Sequence, residues 1–306
     1  MDMTAFLRQI AVLLAIILLG YIAAKRKTLS GADAAVFTRL VSNVTLPFTL
    51  FSAVNAPLTA QQRQSAPFVF LLFAGAYIVT LLLGRLLTKA GHMPEGRSVI
   101  LINGATFPNA VFVGLPLLEG LFGSSIYLYV GVSTLAFSVI FFTYSVSVMQ
   151  PGRGLRWRDF VTPCNAAVVL MLIALVFQIT LPPTASKIVS GIGAVSTPLS
   201  LIVIGILLAD SDLKAVLCNR FLYLACLLRN VLLPLLMLGL LLLLRMNTED
   251  GLIILILYAC PCATLISVYA KAYELEAKLA GEMVLLSTIL SAVTLPLIAW
   301  LGQAVL

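Results

Sequence analysis

The chain has 306 residues, of which 61% are hydrophobic and only 10% charged, against about 25% charged in an ordinary soluble domain. Its mean hydropathy is +1.10, so in water it would expose apolar patches large enough to drive aggregation. Soluble enzymes, nucleic-acid binders and disordered chains are excluded; the natural solvent is a lipid bilayer, and the net charge of +7 has meaning only through where it falls along the chain.

A membrane helix needs about 20 mainly apolar residues. Apolar runs between polar punctuation predict ten of them. The first five are Ala5–Ala24, Ala35–Val54, Pro67–Ala90, Gly96–Leu121 and Ser125–Met149. The second five are Val161–Leu181, Ser186–Ala209, Asn219–Arg245, Gly251–Tyr273 and Lys278–Leu301. The predicted fold is thus an all-α integral membrane protein with no extramembrane domain. Each run is too long and too little alternating for a membrane β-strand. The start, Met1-Asp2-Met3-Thr4, lacks the basic lead and cleavage site of a secretory signal, so the first run is expected to remain as an anchor.

Lys and Arg concentrate in cytoplasmic loops. Fourteen of the nineteen basic residues follow spans 1, 3, 5, 7 and 9. They are Lys25, Arg26, Lys27 and Arg39; Arg85, Lys89 and Arg97; Arg153, Arg156 and Arg158; Lys214 and Arg220; and Lys271 and Lys278. Arg8, Arg63, Lys187 and Arg245 fall on the other side, and Arg229 lies inside span eight. This alternation predicts ten spans with both termini on the non-cytoplasmic face.

The two halves echo each other. Pro47 in Asn43-Val44-Thr45-Leu46-Pro47 and Pro198 in Ala194-Val195-Ser196-Thr197-Pro198 are 151 residues apart; Pro108 and Pro261 are 153 apart. Residues 1–150 and 161–306 each hold five predicted spans, joined by a cytoplasmic connector at 151–160. Five is odd, so the second half enters the membrane in the opposite sense, giving two inverted five-helix repeats. Inverted repeats are the recurring plan of secondary transporters.

Span four reads Asn103-Gly104-Ala105-Thr106-Phe107-Pro108-Asn109-Ala110-Val111-Phe112-Val113-Gly114-Leu115-Pro116, a composition hostile to continuous helix. Span nine carries Ala259-Cys260-Pro261-Cys262-Ala263-Thr264. Mid-helix proline kinks or breaks a helix, and freed backbone in a membrane must be buried in protein or line a cavity. The matched breaks predict that helices 4 and 9 are broken and cross. Their second halves would then present free N–H groups and positive dipole ends to a negatively charged solute. Asn103, Thr106 and Asn109 are candidate neutral donors. Arg229 and Asn230 lie deep in span eight, where a charge is costly; Arg229 either attracts the substrate, partners the crossing or snorkels to the headgroups. Asn43, Thr45, Ser196 and Thr197 either line the cavity or satisfy carbonyls freed by proline. Tyr144, Ser145, Ser287 and Thr288 are expected to pack helices. Asp210 and Asp212 read as loop acids, and no acidic residue is placed deep in a span, which disfavours a cation antiporter built on paired aspartates. Cys164, Cys218, Cys226, Cys260 and Cys262 are read as free packing residues, because Cys260-Pro261-Cys262 is too cramped for a metal-ligand pair. No cofactor is implied.

The run Phe107–Leu117 with Leu121-Phe122-Gly123 resembles the fourth-helix motif of the auxin efflux carrier family. Ala259-Cys260-Pro261-Cys262-Ala263 with Ala270 and Tyr273, Leu286-Ser287-Thr288-Ile289-Leu290-Ser291, Thr294-Leu295-Pro296, and Arg229 with Pro234 resemble it as well. The resemblance covers essentially the whole chain. It implies ten spans in two inverted repeats, an elevator-like movement of the crossed part, and an organic-anion substrate: auxin in plants, malonate or other carboxylates in bacteria. It assigns Pro108, Asn109 and Pro261 to the crossing or substrate site and suggests a homodimer. The long central loop of plant members is missing, which points to a short bacterial inner-membrane carrier. The expected substrate site comprises Asn103, Thr106, Pro108, Asn109, Cys260, Pro261, Cys262, Thr264 and Arg229, with a small organic anion and membrane lipid as partners and no nucleic acid. A sodium-coupled symporter and a transporter-like sensor without flux are the alternatives.

Overall fold

The computed structural model describes residues 3–56, 58–150, 156–209, 216–217 and 219–306. Arg153, Asp210, Asp212, Lys214 and Cys218 lie outside the described residues. The described chain is helical, with one isolated β-bridge and no strand. The first half of the chain contains α1 (Met3–Lys25), α2 (Gly31–Leu40), α3 (Leu46–Phe51), α4 (Ala60–Ala90), α5 (Glu95–Thr106), α6 (Leu115–Phe122), α7 (Ile126–Ile140) and α8 (Val146–Met149). The remainder contains α9 (Trp157–Phe160), α10 (Pro163–Val176), α11 (Pro183–Gly193), α12 (Ser196–Ala209), α13 (Arg220–Leu227), α14 (Leu233–Leu243), α15 (Thr248–Ala259), α16 (Leu265–Ala272) and α17 (Ala277–Val305).

Among the described residues, seven helical stretches are long and apolar enough to cross a membrane: Thr4–Lys25, Gly31–Asn55, Ala60–Ala90, Ala110–Met149, Pro183–Ala209, Leu222–Leu243 and Ala277–Val305. A turn at Gly123, whose φ of 68° suits glycine, divides the longest of them. Three predicted spans, four, six and nine, are not such long helices along their whole length. Spans four and nine are interrupted, and their first halves, α5 and α15, have 12 residues each. Span six is the 14-residue α10. At 1.5 Å per residue, twelve residues cover about 18 Å of a hydrocarbon core about 30 Å thick. Helix boundaries recur at a constant distance: α4 ends at 90 and α14 at 243, while α5 runs 95–106 and α15 runs 248–259, each pair 153 apart.

Proline alone does not break these helices. Val41–Thr45, Ala110–Gly114 and Leu228–Leu232 are π turns, each followed by a Leu-Pro pair at Leu46-Pro47, Leu115-Pro116 and Leu233-Pro234. In each pair the leucine N–H bonds five residues back, to Val41, Ala110 or Leu228. The widened turn makes room for a ring that would otherwise clash with the carbonyl four residues earlier. The third of these π turns also carries Arg229 and Asn230.

Close contact between helices rests on small residues and hydroxyls. A Cβ on Gly205 would stand 2.0 Å from the Ile17 carbonyl oxygen, so α1 and α12 touch backbone to backbone. Thr49 Oγ1 donates to the Gly193 carbonyl at 2.8 Å, and Ser196 Oγ donates to Thr45 Oγ1 at 2.8 Å. Thr49 thus joins α3 to α11, and Ser196 joins α12 to the π turn before α3. Thr197 donates to Glu119 at 2.7 Å. The outward faces are apolar: Leu71, Leu86 and Leu243 are 67%, 66% and 80% exposed, as suits side chains surrounded by lipid rather than water.

Candidate functional site

The two interruptions meet. Phe107 is extended (φ −99°, ψ 117°), as is Cys260 (φ −56°, ψ 150°). Around the antiparallel bridge between Pro108 and Cys262, the Asn109 N–H donates to the Pro261 carbonyl at 2.7 Å and the Ala263 N–H to the Phe107 carbonyl at 3.0 Å. Proline explains the local unwinding. Pro108 and Pro261 supply no N–H, and the residue before a proline is pushed to extended backbone. Phe107 pins the point from one side, fully buried against Tyr77, Phe137 and Phe141 at ring separations of 5.4, 4.8 and 5.3 Å. Gly114 clears space on the other: a Cβ there would stand 2.9 Å from Cys260 Sγ.

Arg229 has no exposed surface. Its Nε donates to the Cys260 carbonyl at 3.0 Å and its Nη1 to the Ala105 and Thr106 carbonyls at 2.9 and 3.4 Å. Its Nη2 donates to the Tyr258 carbonyl, and the guanidinium lies 5.2 Å from the Tyr258 ring centre. It thus ties the C-terminal end of α5 to that of α15. Of the three roles open to Arg229, this geometry matches partnering the crossing. It does not snorkel, and it is not part of the cavity wall.

Next to the crossing is a cavity of about 290 Å³. Its wall draws on α2 and the following π turn (Thr38, Ser42, Asn43), the break in span four (Pro108, Asn109), α7 (Ser133, Thr134, Phe137, Ser138), the start of α10 (Thr162, Pro163, Cys164) and α16 with Thr264 before it. Among the described residues the wall carries no Lys, Arg, His, Asp or Glu. Asn109 caps the helical stretch that begins at Ala110: its Oδ1 accepts from the Phe112 N–H at 3.4 Å. That leaves its Nδ2, in a side chain only 4% exposed, without a partner. Of the buried side-chain atoms lacking a partner among the described residues, this is the one on the cavity wall.

Pro108, Asn109 and Thr264 thus reach the cavity, and Asn43 joins them. Asn103, Thr106, Cys260, Pro261, Cys262 and Arg229 do not: they are buried within the crossing itself. Asn103 Nδ2 and Thr106 Oγ1 donate back to the carbonyls of Val99 and Ile102, both at 2.7 Å, so neither is a free donor there. The described cysteines, Cys164, Cys226, Cys260 and Cys262, are free and buried. Asp250 is buried, 4% exposed, but it stands in the first turn of α15, at the end of span nine rather than deep within it. Its carboxylate accepts from the Tyr129 hydroxyl and, at 2.6 Å, from Asn247 Nδ2.

The α7 contribution went unrecognised in the sequence. Ser133, Thr134, Phe137 and Ser138 follow the i, i+1, i+4, i+5 spacing of one helix face, and that was the available signal. Ser287, read as a packing residue, has a more specific task. Its Oγ accepts from the Cys262 N–H at 3.0 Å, and its carbonyl accepts from Asn230 Nδ2 at 2.8 Å. Ser287→Ala is expected to cost about 1–3 kcal/mol, the penalty of an unsatisfied buried donor, seen as a lower melting temperature. Thr at 287 should restore it.

A family model described as membrane transport protein matches this sequence over residues 5–156 and 152–299. An uncharacterized transporter of Methanothermobacter thermautotrophicus (strain Delta H) is 26% identical over 292 residues, covering 93% of this chain and 94% of the relative. Apolar helices, interrupted helices that meet inside the protein and a family match along nearly the whole chain agree in kind. The protein is a multi-pass integral membrane protein and belongs to the membrane transport protein family, that of the auxin efflux carriers.

Proposed function

We propose that the protein is a secondary carrier of small organic anions, of the carboxylate or malonate-like dicarboxylate class, working by elevator-type alternating access. The observation that carries this reading is the unpartnered Asn109 Nδ2 on the wall of an uncharged cavity. The helical stretches starting at Ala110 and Leu265 both begin on that wall. Each helix N-terminus carries about half a positive charge, here with the Phe112, Ile266 and Ser267 N–H groups already bonded to Asn109, Ala263 and Thr264. Two such ends and an amide N–H₂ favour a solute with roughly one negative charge at the contact point. The cavity is at the small edge of the roughly 300–1,000 Å³ range for ligand pockets, which favours a small carboxylate over a large ring system.

The constant offset of 153 between helix boundaries supports two inverted five-helix repeats, residues 1–150 and 161–306, with ten spans and both termini on the non-cytoplasmic side of a bacterial inner membrane. On that orientation the cavity runs from the crossing toward the cytoplasmic ends of α7, α10 and α16. The present state is then inward-facing. A homodimer is part of the same reading.

The test is uptake by proteoliposomes across a panel of mono- and dicarboxylates, with proton and sodium gradients imposed separately. Saturable uptake of at least one small carboxylate is expected. Binding without flux would make the protein a sensor, and no binding of any carboxylate would remove the anion reading.

A further inference from the structure

Arg229 differs from an ordinary buried ion pair because its partners are not acids. Among the described residues its hydrogen bonds go to backbone carbonyls: Ala105 and Thr106 at the end of α5, Tyr258 at the end of α15, and Cys260 just beyond it. The last four carbonyls of a helix lack intrahelical partners, and each helix C-terminus carries about half a negative charge. Two C-termini meeting in a buried crossing therefore present about one negative charge and a ring of carbonyl oxygens. Carbonyl oxygens replacing a hydration shell are how proteins hold a monovalent cation in a membrane. The guanidinium, fully buried and capped by the Tyr258 ring, supplies one positive charge at that place.

We propose that the crossing of the two broken helices is a monovalent-cation site permanently filled by the chain's own Arg229, so that the carrier needs no sodium ion there. Removing the guanidinium leaves a cation-selective vacancy whose best occupant is a free guanidinium ion. This deepens the carrier reading by naming what balances charge at its centre, and it rests on that reading only for the transport arm of its test.

The direct experiment uses purified Arg229→Ala protein. Its melting curve is followed while ethylguanidinium chloride is titrated at low millimolar concentration, against sodium and choline chloride at equal ionic strength. A saturable rise in melting temperature with ethylguanidinium, absent with choline and absent in the wild type, is expected. A folded variant that responds to none of these ions, or a wild type that sodium stabilises and choline does not, overturns the proposal. Should Arg229→Ala fail to fold, wild type and Arg229→Lys in liposomes decide it. Equal carboxylate uptake in sodium and choline media supports the proposal, and a sodium requirement in either protein overturns it while leaving the carrier standing. If no carboxylate is taken up at all, the carrier reading falls and the melting curves still decide the cation site.

Discussion

Asn109→Asp is expected to abolish carboxylate uptake while leaving the protein folded. The substitution keeps the side-chain oxygen that caps the stretch beginning at Ala110, where Oδ1 meets the Phe112 N–H at 3.4 Å, and aspartate is as good a cap as asparagine. What changes is the other atom. The unpartnered Nδ2 on the cavity wall becomes a carboxylate oxygen, so a donor is lost and a like charge faces the solute. Two charges about 6 Å apart at an effective dielectric of about 20 repel by roughly 3 kcal/mol, about a hundredfold in affinity. Asn109→Ala separates the two effects: it removes the donor without adding charge and gives up a long, weak cap worth at most about 1 kcal/mol. Uptake kinetics and melting curves on the three proteins read both quantities. An unchanged KM in Asn109→Asp would take Asn109 out of the site.

Arg229→Gln should fail in the opposite way, losing the fold rather than affinity for solute. Glutamine offers one N–H₂ group where guanidinium reaches four carbonyls on both broken helices. Each buried carbonyl left without its donor costs about 1–3 kcal/mol, against a total stability of only about 5–15 kcal/mol. Low yield of folded protein, or a much lower melting temperature, is the expected result. Arg229→Lys should be milder, since it keeps the charge but not the planar fork of donors. A glutamine variant that melts like wild type and shows only a raised KM would place Arg229 on the substrate instead.

The pair of variants also separates the two kinds of residue that the sequence had grouped together. Asn103, Thr106, Arg229 and the Cys260-Pro261-Cys262 run were proposed for the solute because they are polar or helix-breaking at mid-membrane. The fold turns most of that polarity inward, to satisfy backbone that the two prolines had freed. Asn109 and Thr264 reach the cavity instead, and the cap from Asn109 to Phe112 uses one amide atom and leaves the other on the cavity wall.

A bilayer setting, helical structure and the two interrupted helices were legible in the sequence alone. Hydropathy and helix length report on each residue's own solvent, and proline acts on its own turn and the residue before it. Which polar atoms are spent and which are left over was decided only by the tertiary structure. Arg229 lies more than 120 residues from Ala105 and 31 from Cys260, and Ser287 lies 25 from Cys262. Hydrogen-bond satisfaction is a property of partners brought together in space, so a list of polar side chains names the candidates, and packing alone distinguishes the structural clamp from the free donor.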